Sequence, residues 1–296
     1  MINRAAQILC STLLGLAFAF RLTAGEAALA SRQVEDLTGH TLTIPLHPQH
    51  VLSLCTTVTD TMLRLGAGGQ LAGIDEYSRI VPGATNIAVL GKGSAISREQ
   101  VLSRNIDLAF IWWFQDDIAR MLADLRVPTV KIRCERADEV PAAIRLIGDC
   151  VGMTNAAGQL ARNVGAQLAA LRQVATTNAP RVFAELYSPF KTAAHDSYLN
   201  DIIELAGGRN VAADAKGPIL FSAERLIKSD PQVVLVIGGF ASPETFAQRN
   251  GMNALAAVSA GHVYSIDRYC LVAGAGLPEG VAKLRRIFNL NLQPKP

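Results

Sequence analysis

Short apolar runs alternate along this chain with stretches whose apolar residues recur every three or four positions. The runs at 51–54, 71–74, 108–113, 129–132, 182–186, 233–238 and 263–266 read as buried strands. Stretches between them, such as 59–65 and 117–125, read as amphipathic helices. Strands separated by helices pair in parallel and are covered on both faces, which predicts an α/β fold. The longest helical pattern covers 155–175, where Leu160, Val164, Leu168 and Leu171 fall on one face and Gln159, Arg162, Asn163, Gln167 and Arg172 cover the rest. At about 1.5 Å of rise per residue, such a helix spans roughly 30 Å and serves as a stiff strut. Asn178-Ala179-Pro180 ends it, because the residue before proline is pushed out of the helical region.

The pattern also repeats. Residues 97–111 read S-R-E-Q-V-L-S-R-N-I-D-L-A-F-I, and residues 222–236 read S-A-E-R-L-I-K-S-D-P-Q-V-V-L-V. Each copy runs Ser-x-Glu into a short helix, a polar break and a buried strand. Locally, Ser97 and Ser222 are ordinary N-caps, with Glu99 and Glu224 in the favourable first turn. Capping does not explain why one register recurs in each half of the chain; two similar lobes do. The expected architecture is therefore two Rossmann-like α/β lobes with parallel sheets, joined by one long α-helix. The expected limits are 31–152 for the first lobe, 153–178 for the linking helix and 179–296 for the second.

Residues 1–30 follow another pattern. Arg4, an apolar run over 8–20 and a small-residue stretch ending in Ala28-Leu29-Ala30 stand in the order of a secretory signal peptide, with cleavage after Ala27 or Ala30. The run is too short to span a bilayer. Cys10 precedes the end of the apolar run, so a soluble periplasmic product is expected rather than a lipid-anchored one. Removing these residues changes the formal net charge only from +3 to +2. Without a basic block, nothing favours a nucleic-acid partner. Cys55, Cys134, Cys150 and Cys270 remain, none in Cys-x-x-Cys spacing. An oxidising compartment permits disulfides, but the sequence does not choose among three connectivities.

Several segments together resemble the helical-backbone class of periplasmic binding proteins, which serves cobalamin, ferric-siderophore and haem importers. They are D-L-T-G-H-T-L-T-I-P (36–45), H-V-L-S-L-C-T-T-V-T-D-T-M-L-R-L-G-A-G (50–68), L-A-G-I-D-E-Y (71–77), the two Ser-x-Glu elements, L-N-D-I-I-E-L-A-G-G-R-N-V-A (199–212) and V-Y-S-I-D (263–267). The resemblance covers nearly all of the chain after residue 30, and 199–212 is its most specific stretch. It implies a monomer that captures a small-molecule metal chelate or corrinoid and delivers it to an ABC permease and its ATPase. It also implies that Glu99 and Glu224 dock onto permease arginines. His50 stands where relatives usually carry Arg.

In open α/β sheets, ligands bind beyond the C-terminal ends of the strands. Those ends lead here to Cys55 and Thr56, to Glu76, Tyr77 and Arg79, to Trp112, Trp113 and Phe114, and to Arg133. In the second half they lead to Tyr187 and Phe190, and to Arg268, Tyr269 and Cys270; Phe221 precedes the second Ser-x-Glu element. Aromatics are only 6% of the chain, yet they gather at these ends, which suits a bulky or flat ligand. The candidate ligand-binding set is Tyr77, Arg79, Trp112, Trp113, Tyr187, Phe190, Phe221, Arg268 and Tyr269, although some of these rings are expected to cap lobe cores instead. The arginines suit carboxylates or catecholates. Cys55 and Cys270 sit at strand ends of opposite lobes, either facing each other or packed as small semi-buried residues.

A bare metal ion would need clustered histidines and carboxylates, but His40, His47 and His50 fall in the opening hairpin. Haem would want an axial Tyr or His, for which Tyr77 is the candidate. The loop at 91–94 lacks an aromatic found in the cobalamin binder. A ferric siderophore is the leading cargo, with cobalamin or haem as alternatives. No resident cofactor, metal site or catalytic residue is expected. A secreted hydrolase is the rival class, but His195-Asp196-Ser197 are chain neighbours and there is no G-x-S-x-G elbow. Gly91-Lys92-Gly93-Ser94 lacks the spacing of a phosphate loop.

Overall fold

A computed structural model describes residues 30–93, 95–173 and 178–290. Residues 1–29 of the expected signal segment, and the end of the long helical pattern after Gln173, lie outside these. The described chain opens with an antiparallel hairpin, β1 (Ser31–Glu35) and β2 (Thr41–Pro45). The first lobe is a six-stranded sheet of β3 (Val51–Ser53), β4 (Leu71–Asp75), β5 (Val89–Lys92), β6 (Ala95–Ile96), β7 (Leu108–Trp112) and β8 (Thr129–Ile132). The strand order is β6-β5-β4-β3-β7-β8, and every pairing except β5–β6 is parallel. Leu108, Ala109, Phe110 and Ile111 are all buried, as expected of an inner strand covered on both faces. The covering helices are α1 (Thr56–Arg64), α2 (Arg98–Ser103), α3 (Asp116–Asp124) and α4 (Val140–Cys150).

The long helix α5 (Thr154–Gln173) follows. The second lobe contains β9 (Arg181–Leu186), β10 (Lys191–Ala193), β11 (Arg209–Asn210), β12 (Pro218–Leu220), β13 (Val233–Ile237) and β14 (Val263–Ile266). Its sheet is parallel throughout, in the order β11-β9-β13-β14, with β10 and β12 forming a separate antiparallel pair. Helices α6 (Tyr198–Leu205) and α7 (Ala223–Ser229) and a C-terminal helix (Leu277–Leu290) pack around it. All seven predicted strands are present to within a residue or two. The pattern reading misses β5, β6, β10, β11 and β12; β6 and β11 have only two residues each, too few for a period to show.

The lobes are not joined by α5 alone. One apolar core takes Cys134, Ala137 and Ile144 from the first lobe, Ala157, Ala161, Val164 and Leu168 from α5, and Ile202, Leu235, Val281 and Phe288 from the second. Helices α4 and α5 lie so close that a Cβ on Gly148 would overlap Ala157. Two polar ties reinforce this core. Buried Asp60 on α1 accepts from the Tyr269 hydroxyl at 2.7 Å and the Gly276 N–H at 2.9 Å, and Arg64 donates to both Glu279 carboxylate oxygens at 2.9 and 2.7 Å. A Cβ on Gly276 would lie 2.6 Å from Arg64 Nη2 and 2.8 Å from the Tyr269 hydroxyl, so a larger residue there would have to displace the side chains of this tie. On the other side, Asp201 accepts from Arg136 at 2.5 Å and from the Ala137 N–H at 2.9 Å.

Topology fixes where a ligand can enter. From β3 the chain steps to β4 and β5 on one side, then returns to β7 on the other, while β9 is flanked by β11 and β13. Crevices form where strand order reverses, beyond the C-terminal strand ends.

A candidate ligand cleft between the lobes

Two adjoining cavities of about 620 and 250 Å³ occupy that crevice, sharing Thr56, Trp112, Phe114, Tyr187 and Arg268 in their walls. The first lobe supplies a ring cluster at the end of β7. Trp112 and Phe114 stack nearly parallel at 6.5 Å, and Trp113 meets both edge-on at 6.0 and 5.0 Å. Offset and edge-on contacts are the favoured geometries, so the cluster forms a stiff apolar wall. The Gln115 side chain accepts from the Trp112 N–H at 2.8 Å and pins the turn.

Tyr187 faces this wall from the second lobe. Its φ of +62° and the Ser188 N–H to Leu186 carbonyl bond at 2.8 Å describe the rarer, strained form of γ-turn. Left-handed conformations cost a bulky residue about 1 kcal/mol and gather at ligand sites. Replacing Tyr187 with glycine relieves this strain but removes the ring's contacts with Arg268 and Lys191, so the denaturant midpoint will move little while ligand binding weakens, both being read on one purified variant.

Arg268, after β14, lies over the Tyr77 ring at 5.2 Å and the Tyr187 ring at 5.9 Å, bridging the two lobes. It has no ion-pair partner within 4 Å among the described residues. Beneath it Asp75 is buried. Burial raises its pKa, opposed by hydrogen bonds from Ser78 and by the charge of Arg268. Lys92 approaches Tyr77 at 5.8 Å and Lys191 approaches Tyr187 at 5.9 Å, so each tyrosine also has an ammonium neighbour.

Of the nine candidates, Tyr77, Trp112, Trp113, Tyr187 and Arg268 line the cleft, and four do not. Phe221 is only 1% exposed and packs on Phe183 inside the second lobe, so the structure corrects its assignment as a ligand contact. Phe190 packs against the same core beneath Arg249. Arg79 does not line either cavity and pairs with Glu76 at 3.6 Å, and Arg133, the other arginine at a strand end, pairs with Glu135 at 2.5 Å. Tyr269 belongs to the tie between lobes; burial chiefly pushes its hydroxyl up to about 12.

Phe114, Gln115 and Tyr198 were outside the candidate set. Phe114 is exposed and was visible at a strand end, but two tryptophans overshadowed it. Tyr198 begins α6 and reaches the floor of the smaller cavity, its buried hydroxyl without a partner among the described residues. No sequence signal marks it.

All four described cysteines are free and buried. Burial is the largest cause raising each thiol, with Cys134 and Cys150 pushed up to about 12. Protonated thiols are poor metal ligands. Cys55 packs in the first lobe's core and Cys270 in the shared core, so they do not form a pair across the cleft. Among the described residues, no three His, Cys, Asp or Glu side chains are grouped to hold a metal ion. No described helix is long and apolar enough to cross a membrane.

Comparison with known proteins agrees with this geometry. The profile of the periplasmic binding protein family matches residues 51–269. The uncharacterized ABC transporter substrate-binding lipoprotein YvrC of Bacillus subtilis is 24% identical over 267 residues, covering 85% of this chain and 83% of its own. A vitamin B12-binding protein of Vibrio cholerae is 26% identical over 204 residues, covering 67% and 74%. Among solved structures, the apo periplasmic heme-binding protein RhuT from Roseiflexus sp. RS-1 superposes with a TM-score of 0.76 at 22% identity, over 83% of this chain and 99% of its own.

Proposed function

Since this chain belongs to the periplasmic binding protein family, we propose that it is the capture component of an ABC importer whose cargo is a tetrapyrrole, of the haem or corrinoid kind. The observation that carries this reading is the stacked wall of Trp112 and Phe114 opposite Tyr187, with the Arg268 guanidinium, which has no ion pair among the described residues, at its edge. A flat, mostly apolar macrocycle with a few peripheral polar groups matches such a wall. The sequence alone favoured a ferric siderophore. A tricatecholate complex concentrates several negative charges, and two of the three arginines expected to meet them are engaged with Glu76 and Glu135. Lys92 and Lys191 beside the tyrosines keep a catecholate chelate as the second reading.

In this reading Trp112, Trp113 and Phe114 cover one face of the macrocycle and Tyr187 meets it from the opposite lobe. Arg268 meets a carboxylate or amide at its rim. Relatives named for vitamin B12 binding, and the likeness in fold to a heme-binding protein, support the same ligand class. The protein acts in the periplasm after removal of the signal segment, as a monomer, and turns over no substrate. Glu99 and Glu224 present its two lobes to the permease.

Titration with haemin, cyanocobalamin and a ferric tricatecholate at matched concentrations tests the cargo. One of the tetrapyrroles will quench the tryptophan fluorescence saturably at one equivalent, and the tricatecholate will bind more weakly. Tightest binding of the tricatecholate would overturn the tetrapyrrole reading. If haemin is the ligand, Tyr77→Phe will shift its Soret band, because a tyrosine oxygen is an established type of axial haem ligand.

A further inference from the structure

The two Ser-x-Glu helices agree in more than their caps. Ser97 accepts from the Gln100 N–H at 3.2 Å and Ser222 from the Arg225 N–H at 3.1 Å. Two positions after each serine stands an exposed glutamate, Glu99 or Glu224, with no ion pair among the described residues. Four positions after it, Val101 and Leu226 are buried under their lobes. Five positions after it, both helices turn a large aliphatic side chain to solvent. Leu102 is 58% exposed and Ile227 is 38% exposed.

Residues three apart on a helix are neighbours on one face, so each glutamate has an exposed aliphatic group beside it. A solitary exposed leucine needs no explanation. The same exposure at the same register in both lobes does, because each helix already buries its neighbour one position earlier; Ile227 also lies against Gly251 on one side, while Leu102 is the more exposed of the two. Each helix lies between a short strand of an antiparallel pair, β6 or β12, and an inner strand of the parallel sheet, β7 or β13. The two patches are therefore equivalent by topology as well as by sequence. Leu220, two residues before Ser222 and 77% exposed, adds apolar surface on the second lobe only; Ala95 stands at the matching place on the first.

We infer that Leu102 and Ile227 are the apolar half of a paired docking surface, received by the importer's two membrane subunits, each offering a shallow apolar pocket beside a basic residue. The inference rests on the importer reading above. Two like patches, each a carboxylate without an ion pair among the described residues next to an aliphatic side chain, fit a partner that presents one complementary site twice. The division of labour follows from the physics of association. Charge steers the approach and sets orientation, while desolvated aliphatic contact slows departure.

The test compares the Leu102→Ser/Ile227→Ser double variant with Glu99→Ala/Glu224→Ala in source cells lacking the wild-type chain. Uptake of labelled haemin or cyanocobalamin is followed, whichever the purified protein binds. Ligand affinity and far-UV circular dichroism of both variants will match the wild type, since all four positions are exposed and outside the cleft. Uptake with the Leu/Ile variant will fall at least tenfold. Normal uptake with that variant, alongside lost uptake with the glutamate variant, would overturn this inference and leave the importer reading standing. Unchanged uptake with both variants, or without the protein at all, would overturn the importer reading and this inference with it. A wild-type dimer that the Leu/Ile variant converts to a monomer would reassign the patches to self-association and also overturn the inference.

Discussion

Replacing Asp60 with alanine will lower the unfolding free energy by about 3–5 kcal/mol, the range for removing one partner of a buried charge network. Asp60 is 1% exposed and accepts from Tyr269, Gly276 and Arg64, two of which belong to the opposite lobe or the segment leading into its last helix. The variant leaves a phenol hydroxyl and a backbone N–H without an acceptor, and a guanidinium with only Glu279 to balance it. In a chain of this size the loss corresponds to a fall in melting temperature of roughly 10 °C. Asp60→Asn, which keeps the shape but only one good acceptor oxygen, will lose less. A fall below 1 kcal/mol in urea unfolding would mean that the shared apolar core alone joins the lobes. The same tie is acid-sensitive. Arg64 holds the Glu279 carboxyl below its ordinary value of 4.5, so the contribution of the pair is complete above that pH and is lost as the pH falls through the lowered value.

Arg268→Ala will weaken cargo binding by roughly 30- to 150-fold, or about 2–3 kcal/mol, the lower range for truncating a charged group paired across an interface. The expectation follows from Arg268 lining both cavities and having no ion pair among the described residues. Its contacts with Tyr77 and Tyr187 are worth about 0.5–1 kcal/mol each at this degree of exposure, so stability will fall far less than affinity. Arg268→Lys separates charge from shape. It keeps the cation but not the planar group that lies over two rings, and it will recover only part of the affinity. Isothermal titration of both variants with the cargo identified by the panel decides the matter. An affinity within threefold of wild type for Arg268→Ala would remove the guanidinium from the binding account.

The fold was legible because its strands are apolar on both faces and because one helix–strand unit occurs twice. Leu108 to Ile111 and Val233 to Ile237 are continuous apolar runs of a length that suits a strand in a covered sheet. The cleft was legible as far as topology reaches: a residue following a parallel strand stands at the right end of the sheet. Which way its side chain turns depends on the local turn, and there the sequence is silent. Tyr187 and Phe190 are three residues apart after the same strand, both at positive φ, yet one ring faces the cleft and the other packs on the lobe core. Phe221 packs inward, and from the sequence an aromatic beside a short helix reads the same whether it points in or out. Tyr269 was misjudged because its partner, Asp60, lies 209 residues away in the chain. The 199–212 stretch, the most family-like segment, supplies Asp201, the acceptor of the second tie between lobes, rather than a cleft residue.

The core shared through α5 has a further consequence. The two sheets look like repeated units, each with its own Ser-x-Glu helix, but they are not independent modules. Cut apart, the first half would bare Ala137 and Ile144 and the second would bare Ile202 and Phe288, leaving α5 with no wall to lie against on one side. Whatever duplication the repeat records, the halves are now mutually dependent: neither alone covers the apolar surface it contributes.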